Sequence, residues 1–319
     1  MGKYYVGIDI GGTNLKAGLV DASSRLLATA KTPLCWSSAE GFVEVLAKLC
    51  IDAAQKANIK KEEICAVGMG VPGEVDREHG RILYTCNIPL RDLPIAELFH
   101  KYLKAPIYLD NDANCAALGE YYAGAGQGFE NIIVVTLGTG VGAGIILGGR
   151  LLRGANGAAG EVGHMVIVPQ GYPCPCGRRG CWEQYSSASA LKRLTLEAMA
   201  QAPGSALWTH CHGDPEQIGG RSAFQVAREC ADAAALSVCR QYVSYLALGI
   251  VNLVNIFQPE LVCIGGGVSN EEDDALLFPL QKIVEQERYG RGRKPAPRIC
   301  KAKLGNDAGI VGAAFLGMK

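Results

Sequence analysis

The sequence predicts an α/β fold made of two related halves. Apolar strands alternate along the chain with segments of helical periodicity, a pattern typical of sheets whose two faces are covered by helices. Residues 4–20 form a strand, a glycine turn with a threonine, and a second strand, and residues 132–147 repeat this order. Such self-similarity indicates an internal duplication in which each half presents one Gly-Thr turn.

In the first half, the period of the apolar residues distinguishes strands from helices. Residues 6–10 alternate as on one face of a strand, whereas residues 42–49 carry a helical stripe that Ser37 or Ser38 can cap. The predicted elements are a strand-turn-strand unit at 4–20, strands at 25–32, 64–69 and 107–109, and helices after Ser38, at 94–102 and at 113–122.

The second half follows by the same reasoning. Its predicted elements are a strand-turn-strand unit at 132–147, a buried strand at 261–264, and helices at 189–199, 223–238, 241–257 and 307–316. Residues 202–220 are predicted to be an irregular loop. We expect a small N-terminal domain at 1–112, with the C-terminal helix at 305–319 packed back on it, and a larger domain at 113–304 that carries a cysteine-rich loop.

The composition argues against several classes of function. Lys+Arg and Asp+Glu both number 31, so the formal net charge is zero and no field attracts nucleic acid or an anionic membrane. Most of the 13 cysteines are scattered in apolar surroundings, as expected in a reducing compartment. A strand is predicted directly after the first residues, so we expect no signal peptide. Glycines or polar side chains within the apolar stretches 131–149 and 242–257 favour burial over membrane crossing. We therefore expect a cytoplasmic protein.

A cysteine-rich loop predicts a metal site. His164, Cys174, Cys176 and Cys181 lie close together in the sequence, and one imidazole with three thiolates suits tetrahedral zinc. Because these ligands fill the coordination sphere, the ion would be structural. The alternative is a set of reduced, unliganded thiols. Two carboxylates flank the ligands, and we expect the zinc to shape a loop that aims these carboxylates at a ligand: Glu161 and Glu183.

The two Gly-Thr turns predict a nucleotide site. Backbone amides of glycine turns can approach phosphate oxygens closely, Lys16 can add a positive charge, and Asp9 can hold a hydrated magnesium ion. The alternative for either turn alone is a β-hairpin that needs glycine for its geometry. Two matching turns, together with a strand that ends in Gly265-Gly-Gly267, favour nucleotide binding.

Asp112 is the candidate general base. It follows a predicted strand and precedes a predicted helix, at the sheet edge where open α/β folds bind ligands. The structural alternative is an N-cap, which is worth about 1 kcal/mol. The functional hypothesis is that the Asp112 carboxylate accepts the proton of a substrate hydroxyl. Asn111 offers both a donor and an acceptor, which suits a pair of sugar hydroxyls.

These motifs resemble those of the ROK family of sugar kinases, and most of all its bacterial glucokinases. The pattern Glu-x-Gly-His followed by Cys-x-Cys-Gly-x-x-Gly-Cys is highly specific. The matching segments cover nearly the whole chain in order: 9–13, 70–73, 111–114, 138–144, 161–164, 174–183 and 265–267.

The resemblance implies an actin-like, ribonuclease H-like two-domain fold with ATP and sugar in a central cleft. It implies that Asp112 is the catalytic base for phosphoryl transfer from ATP, with magnesium, to the 6-hydroxyl of glucose. The implied sugar contacts are Asn111, Asp112, Glu161, His164, Glu183 and Asn87, of which the last lies in a stretch that matches the family only loosely. The implied nucleotide contacts are Asp9, Gly11, Gly12, Thr13, Lys16, Gly138, Thr139, Gly266 and Gly267. The implied zinc ligands are His164, Cys174, Cys176 and Cys181.

Several alternatives stay open at this stage. The acceptor could be another hexose, namely N-acetylmannosamine, N-acetylglucosamine, allose or fructose. The chain could instead be a sugar-sensing regulator without catalysis, although it starts at the first strand and has no place for the winged helix of family repressors. A zinc-stabilised structural protein is the third alternative. The resemblance also implies a homodimer or a higher homo-oligomer.

Overall fold

A computed structural model describes residues 3–36, 38–85 and 88–318. Its strands are β1 (Tyr4–Ile10), β2 (Asn14–Asp21), β3 (Leu26–Pro33), β4 (Ile64–Val71), β5 (Gly73–Asp76), β6 (Arg81–Thr85), β7 (Arg91–Leu93), β8 (Ile107–Asn111), β9 (Ile132–Leu137), β10 (Val141–Leu147), β11 (Arg150–Leu151), β12 (Leu261–Gly265) and β13 (Arg298–Lys301).

The helices are α1 (Ala39–Lys56), α2 (Ile95–Phe99), α3 (Asp112–Ala123), α4 (Glu183–Ser186), α5 (Ala188–Gln201), α6 (Ala206–His210), α7 (Ser222–Cys230), α8 (Ala233–Phe257), α9 (Leu277–Glu287) and α10 (Ala308–Phe315). Short 3-10 helices lie at Lys61–Glu63, Val162–His164, Pro215–Gln217, Gly267–Asn270 and Gly305–Asp307. Ser38 caps α1 as predicted, because its hydroxyl accepts the N–H of Gly41 at 3.1 Å.

The strand order confirms the internal duplication. One sheet has the order β3-β2-β1-β4-β8 and another has β11-β10-β9-β12-β13, so each begins with a hairpin and adds parallel strands beside its first strand. In the first sheet β1 is antiparallel to β2 and parallel to β4. In the second, β12 is parallel to both β9 and β13. A third sheet, β5-β6-β7, lies between β4 and α2 in the sequence and was not predicted.

The chain divides into two compact units. Unit 1 comprises Met1–Glu130, Gly144–Gly160 and Lys303–Lys319, and unit 2 comprises Asn131–Ala143 and Glu161–Ala302. In unit 1, α1 covers one face of the sheet and buries Phe42 and Leu46, while α10 packs against β1 and α3. In unit 2, α8 packs against α5, α7 and α9. The predicted domain bounds at residues 112 and 304 stay a prediction.

Helix α8 is the most apolar long element of unit 2. Among the described helices it alone has the length and composition of a membrane span, with 25 residues, and 56% of its most apolar window is buried in the protein. The core of a folded domain explains such a helix equally well. The buried side chains include Tyr242, Leu246 and Ile250, in agreement with the predicted buried helix at 241–257.

Two predicted boundaries in unit 2 were wrong. The helices expected at 223–238 and 241–257 are instead α7 and α8, separated at Ala231, where φ is +51°. Asp232 caps α8, since its side chain accepts the N–H of Ala235 at 2.9 Å. The loop expected at 202–220 contains the short helix α6. Its cap, Ser205, lies in a stretch that has little apolar periodicity.

Candidate functional site

The first Gly-Thr turn closes the β1–β2 hairpin of unit 1. The N–H of Gly11 donates to the carbonyl of Asn14 at 3.0 Å, and the N–H of Leu34 donates to the carbonyl of Thr13 at 2.9 Å. Gly12 and Thr13 are exposed. The turn is therefore held by its own backbone, and its exposed side can meet phosphate oxygens.

Asp9 and Lys16 lie opposite each other on this hairpin, just behind the turn. Burial raises the pKa of Asp9 above its usual value, and the positive charge of Lys16 partly opposes this rise. A nearby cation would stabilise the ionised form of such a half-buried carboxylate. The structure thus brings the predicted magnesium and phosphate residues of unit 1 together at one hairpin.

Asn111 and Asp112 stand where β8 passes into α3. The side-chain oxygen of Asn111 accepts the N–H groups of Ala113 at 2.9 Å and Asn114 at 3.3 Å, so Asn111 is the N-cap. Asp112 is the first residue of the helix, and its Oδ1 accepts the Ala113 N–H at 2.9 Å. The structural alternative for Asp112, an N-cap, is therefore wrong. Asn111 keeps its amide N–H₂ as the group that can donate to a ligand.

A buried ion cluster lies directly before this pair. The side chain of Asp110 is only 3% exposed, and its Oδ2 accepts the Nε of Arg153 at 2.8 Å, with the Nε of Arg77 at 3.5 Å. Its Oδ1 accepts the N–H of Asn111 and the amide of Asn114, both at 2.9 Å. Because a buried carboxylate needs such partners, the cluster fixes the end of β8 and the first turn of α3.

The second Gly-Thr turn lies in unit 2, beside the glycines that follow β12. Strands β9 and β12 pair in parallel, so their carboxyl ends share one edge of the sheet. Gly266 has φ +84°, and a Cβ there would come within 2.4 Å of the carbonyl oxygen of Leu137. The predicted nucleotide contacts of unit 2 are therefore neighbours at this edge: Gly138, Thr139, Gly266 and Gly267.

The four predicted zinc ligands also converge in unit 2. One ring nitrogen of His164 and the Sγ atoms of Cys174, Cys176 and Cys181 all lie within 4.8 Å of one another. His164 Nδ1 is 3.6 Å from Cys174 Sγ, and Cys176 Sγ is 3.6 Å from Cys181 Sγ. Tetrahedral zinc with its usual bond lengths separates such ligands by about 3.5–3.8 Å. The donor set and its spacing therefore fit zinc.

Backbone hydrogen bonds close a short loop around Cys174. The N–H of Cys174 donates to the carbonyl of Arg178 at 2.9 Å, and the N–H of Gly177 donates back to the carbonyl of Cys174 at 3.0 Å.

Burial raises the pKa of the Cys181 thiol to about 12, so a metal ion must displace the thiol proton before Cys181 can bind it as a thiolate. With Nδ1 of His164 facing the sulfurs, Nε2 is the ring nitrogen that can meet a sugar hydroxyl.

Trp182 fixes the segment between the metal cluster and Glu183. Its ring is fully buried, and its indole N–H donates to the carbonyl of Tyr245 on α8 at 3.0 Å. Glu183 then begins α4, and its Oε2 accepts the N–H of Val141 at 3.1 Å. By contrast, the side chain of Glu161 is exposed. The two predicted sugar carboxylates therefore differ: one is tied to β10 and the other faces solvent.

The predicted site residues form two sets, one in each unit. Unit 1 carries Asp9, Gly11, Gly12, Thr13, Lys16, Asn111 and Asp112, whereas unit 2 carries Gly138, Thr139, Glu161, His164, Cys174, Cys176, Cys181, Glu183, Gly266 and Gly267. Asn87 lies outside the described residues. The sequence did not reveal the role of Arg77 and Arg153. An isolated basic residue in a loop or turn does not indicate which distant carboxylate it contacts.

Glu120 was missed for a similar reason. It is fully buried in unit 1, and its carboxylate accepts the N–H groups of Ala125 at 2.8 Å, Lys303 at 3.0 Å and Leu304 at 2.7 Å. These contacts join α3, which begins with Asp112, to the segment that leads into α10. A single glutamate inside a helix gives no sequence signal that its carboxylate accepts hydrogen bonds from a distant backbone.

Comparison with known proteins places this arrangement in one family. The model of the ROK family matches residues 5–319. The chain is 38% identical over 313 residues to the glucokinase of Streptomyces coelicolor, with 98% of this chain and 96% of that protein covered. It is 32% identical over 330 residues to the N-acetyl-D-glucosamine kinase of Salmonella paratyphi B, with 98% of each covered.

A solved structure shows the same fold. The crystal structure of a ROK family glucokinase from Streptomyces griseus, in complex with glucose and AMPPNP, superposes with a TM-score of 0.84 at 37% identity, and 98% of each chain is covered. The fold is thus the actin-like α/β fold that the motifs imply. Family model, relatives and structure agree over nearly the full length, and the chain belongs to the ROK family.

Proposed function

We propose that this protein transfers the γ-phosphoryl group of ATP to the 6-hydroxyl of a hexose, with glucose as the preferred acceptor. The enzyme class, a phosphotransferase that acts on a sugar alcohol, is supported by ROK membership and by the glucokinase relatives. The observation that supports the mechanism is that Asn111 caps α3, so Asp112 is not the N-cap and stands instead at the first position of the helix.

Asp112 is the proposed general base. Its carboxylate sits at the N-terminal end of α3, where the helix dipole favours the ionised form. It would accept the proton of the hydroxyl as that oxygen attacks the phosphorus, a role worth about 10²–10⁴-fold in rate. The cluster around Asp110 would hold the first turn of α3 in place while this happens.

The remaining site residues bind and orient the substrates. Asn111, Glu161, His164 through Nε2, Glu183 and Asn87 are proposed to hold sugar hydroxyls. The backbone amides of the two Gly-Thr turns and of Gly266 and Gly267 are proposed to bind phosphates. Lys16 and the magnesium of the MgATP substrate, held by Asp9, would offset the charge of the transferring group. His164, Cys174, Cys176 and Cys181 would hold zinc, which supplies a cross-link and no open coordination position.

Substitution of Asp112 tests the proposal. Asp112→Asn keeps the size and the acceptor oxygen but removes the base, so kcat should fall about 10²–10⁴-fold. Glucose affinity, measured by isothermal titration calorimetry, should stay within about threefold. Asp52→Asn on α1 of the same unit is the matched control and should leave kcat unchanged. Near-native turnover of Asp112→Asn would remove the base assignment.

The second candidate is a kinase for another hexose. The relative from Salmonella paratyphi B named above is an N-acetyl-D-glucosamine kinase, which favours a panel over a single sugar. A coupled ATP-consumption assay with glucose, N-acetylglucosamine, N-acetylmannosamine, allose and fructose ranks the acceptors by kcat/KM. If the protein bound a sugar but consumed ATP with none of them, a sugar-sensing regulator would replace the kinase.

A cytoplasmic location and a homodimer or higher homo-oligomer are part of the proposal. The oligomer is what the resemblance to the ROK family implies, and size-exclusion chromatography with light scattering measures it. A monomer at micromolar concentration would remove this part of the proposal and leave the kinase activity untouched.

A further inference from the structure

Val141, the first residue of β10, is held by both motifs that are proposed to bind sugar. Its N–H donates to Oε2 of Glu183 at 3.1 Å. A Cβ on Gly163 would come within 2.2 Å of its carbonyl oxygen, so the Glu161–His164 motif lies directly against the same residue. Val141 follows the second Gly-Thr turn immediately. Both motifs therefore meet at the point where the chain leaves that turn.

The carbonyl groups of the turn are held from the same side. The carbonyl of Gly138 accepts the N–H of Ala188 at 2.8 Å, and the carbonyl of Thr139 accepts the hydroxyl of Ser189 at 2.9 Å. Both donors belong to the first turn of α5, which follows α4 and Glu183 in the chain. The turn thus depends on the segment that begins at the metal cluster.

Gly140 allows the carboxylate to lie against the turn. A Cβ at this position would come within 2.2 Å of Oε2 of Glu183 and within 3.1 Å of its carboxyl carbon. Any other residue here would push the carboxylate away from Val141. Glu183 is half-buried and lies two residues after the predicted zinc ligand Cys181. The glycine turn, the carboxylate and the metal loop form one connected structure within unit 2.

We propose that Glu183 is a positioning residue for the nucleotide as well as a sugar ligand, and that it couples the two substrates. The proposal rests on the function proposed above, with nucleotide at the turn and sugar at Glu183. An ionised carboxylate has about four acceptor positions, of which the Val141 N–H uses one. Sugar hydroxyls that donate to the others hold the carboxylate in place, and this orders the turn that binds phosphate. Bound sugar therefore tightens nucleotide binding.

Nucleotide affinity in the absence of sugar separates this role from simple sugar recognition. A residue that only contacts sugar has no effect on that affinity. Glu183→Ala removes the acceptor of the Val141 N–H, and the affinity for a non-hydrolysable ATP analogue should fall about fivefold or more without sugar. Glu161→Ala is the matched control, because its side chain is exposed. It should weaken glucose binding and leave sugar-free nucleotide affinity unchanged.

Three further variants distinguish this role from simple misfolding. Glu183→Gln retains an oxygen that can accept the Val141 N–H, so it should restore sugar-free nucleotide affinity to within about twofold of the parent protein while glucose affinity stays weak. Gly140→Ala leaves Glu183 in place but displaces its carboxylate, and should reproduce the nucleotide loss. Gly204→Ala, where a Cβ meets no atom within 4 Å, should change nothing. Zinc content and melting temperature are recorded for each variant.

The experiment is isothermal titration calorimetry of the ATP analogue with and without glucose, on the whole 319-residue chain. Support requires that glucose tighten nucleotide binding in the parent protein and do so by a smaller factor in Gly140→Ala. Unchanged sugar-free nucleotide affinity in both Glu183→Ala and Gly140→Ala would overturn the coupling. If the parent protein bound neither the analogue nor any hexose, the proposed function itself would fail, which is a distinguishable result.

Discussion

The two Gly-Thr turns have the same place in their sheets but different supports. Each closes the first hairpin of a sheet, and in each the leading glycine N–H bonds across the turn at 3.0 Å, to Asn14 from Gly11 and to Gly140 from Gly138. The carbonyl of Thr13 accepts the N–H of Leu34, the residue directly after β3 of the same sheet. The carbonyl of Thr139 accepts the hydroxyl of Ser189 on a helix that follows the metal loop.

The charges behind the turns differ as well. Asp9 stands two residues before the first turn and faces Lys16 across the hairpin, whereas Thr136 occupies the corresponding position before the second turn. Duplication preserved the strand order and the turn, since these depend on backbone geometry. The side chains around the turns were not preserved. Unit 1 has the charged residues Asp9 and Lys16 behind its turn, whereas in unit 2 the turn and the residue after it are hydrogen-bonded to Ser189 and Glu183.

Loss of the predicted zinc should weaken the hydrogen bonds that hold the second Gly-Thr turn. We expect this change to have the largest effect on ligand affinity. Cys181→Ser removes a predicted ligand two residues before Glu183, so zinc affinity should fall by more than the roughly 10–100-fold that is typical for loss of an outer-shell partner. Glucose and ATP-analogue affinities should both weaken, because Glu183 and α5 hold the turn. The sequence alone predicts a much larger loss of sugar affinity than of ATP affinity. Zinc content by mass spectrometry and both affinities by calorimetry are measured.

Cys230→Ser, on α7 of the same unit, is the matched control for the metal experiment. It lies outside the four-ligand cluster and should retain zinc and both affinities. If Cys181→Ser lost zinc and sugar affinity but kept its nucleotide affinity, the link between the metal loop and the turn would be wrong.

Alanine at the leading glycines compares the turns directly and gives an intermediate effect. A Cβ on Gly138 meets no atom within 4 Å, so Gly138→Ala should leave the melting temperature unchanged. The methyl group would occupy space through which phosphate approaches the backbone, and nucleotide affinity should fall about tenfold. A Cβ on Gly11 would lie 2.8 Å from the carbonyl oxygen of Asn14, so Gly11→Ala should also lower the melting temperature.

Gly204→Ala, also in open space, serves as the control for both glycine variants. A native nucleotide affinity in Gly138→Ala would mean that no phosphate lies at the second turn. Calorimetric titration and thermal unfolding report these two quantities separately.

Neutralising Asp9 should give the smallest effect. Unlike Gly11→Ala, which should destabilise the protein, it should raise the free energy of unfolding. Burial raises the pKa of Asp9, so the folded state holds the proton more tightly than the unfolded state does. The stability contributed by protonated Asp9 is fully present below its unfolded pKa of 3.8 and is lost as pH rises through the folded pKa. At about pH 7, Asp9→Asn should therefore stabilise the ligand-free protein and raise the magnesium needed for turnover.

Urea unfolding at several pH values between about pH 4 and pH 8 measures this effect. The gain in unfolding free energy should shrink toward the acid end, where wild-type Asp9 is protonated. Asp52→Asn provides the control on the same unit. A destabilised Asp9→Asn at neutral pH would show that the ionised carboxylate has a structural role.

Local patterns account for the parts of the fold and site that could be predicted. The cap at Ser38, the strand-turn-strand units and the convergence of the four metal ligands follow from residues that are near neighbours in sequence. The break at Ala231 could not be predicted, because alanine favours helix and only the surrounding packing forces its positive φ. The three short strands of the β5-β6-β7 sheet are likewise too brief for periodicity to reveal.

The duplicated α/β pattern, the two turns, the candidate metal ligands and the candidate base could all be predicted from the sequence, because each is encoded within a short span of chain. The distant groups that they contact are known only from the packing of the folded chain. Glu183 bonds to Val141 across 42 residues, and Arg153 bonds to Asp110 across 43. Such contacts arise when whole sheets and helices pack, and no local propensity specifies them. They connect the segment after the candidate metal loop to the second Gly-Thr turn, and they hold the end of β8 directly before Asp112.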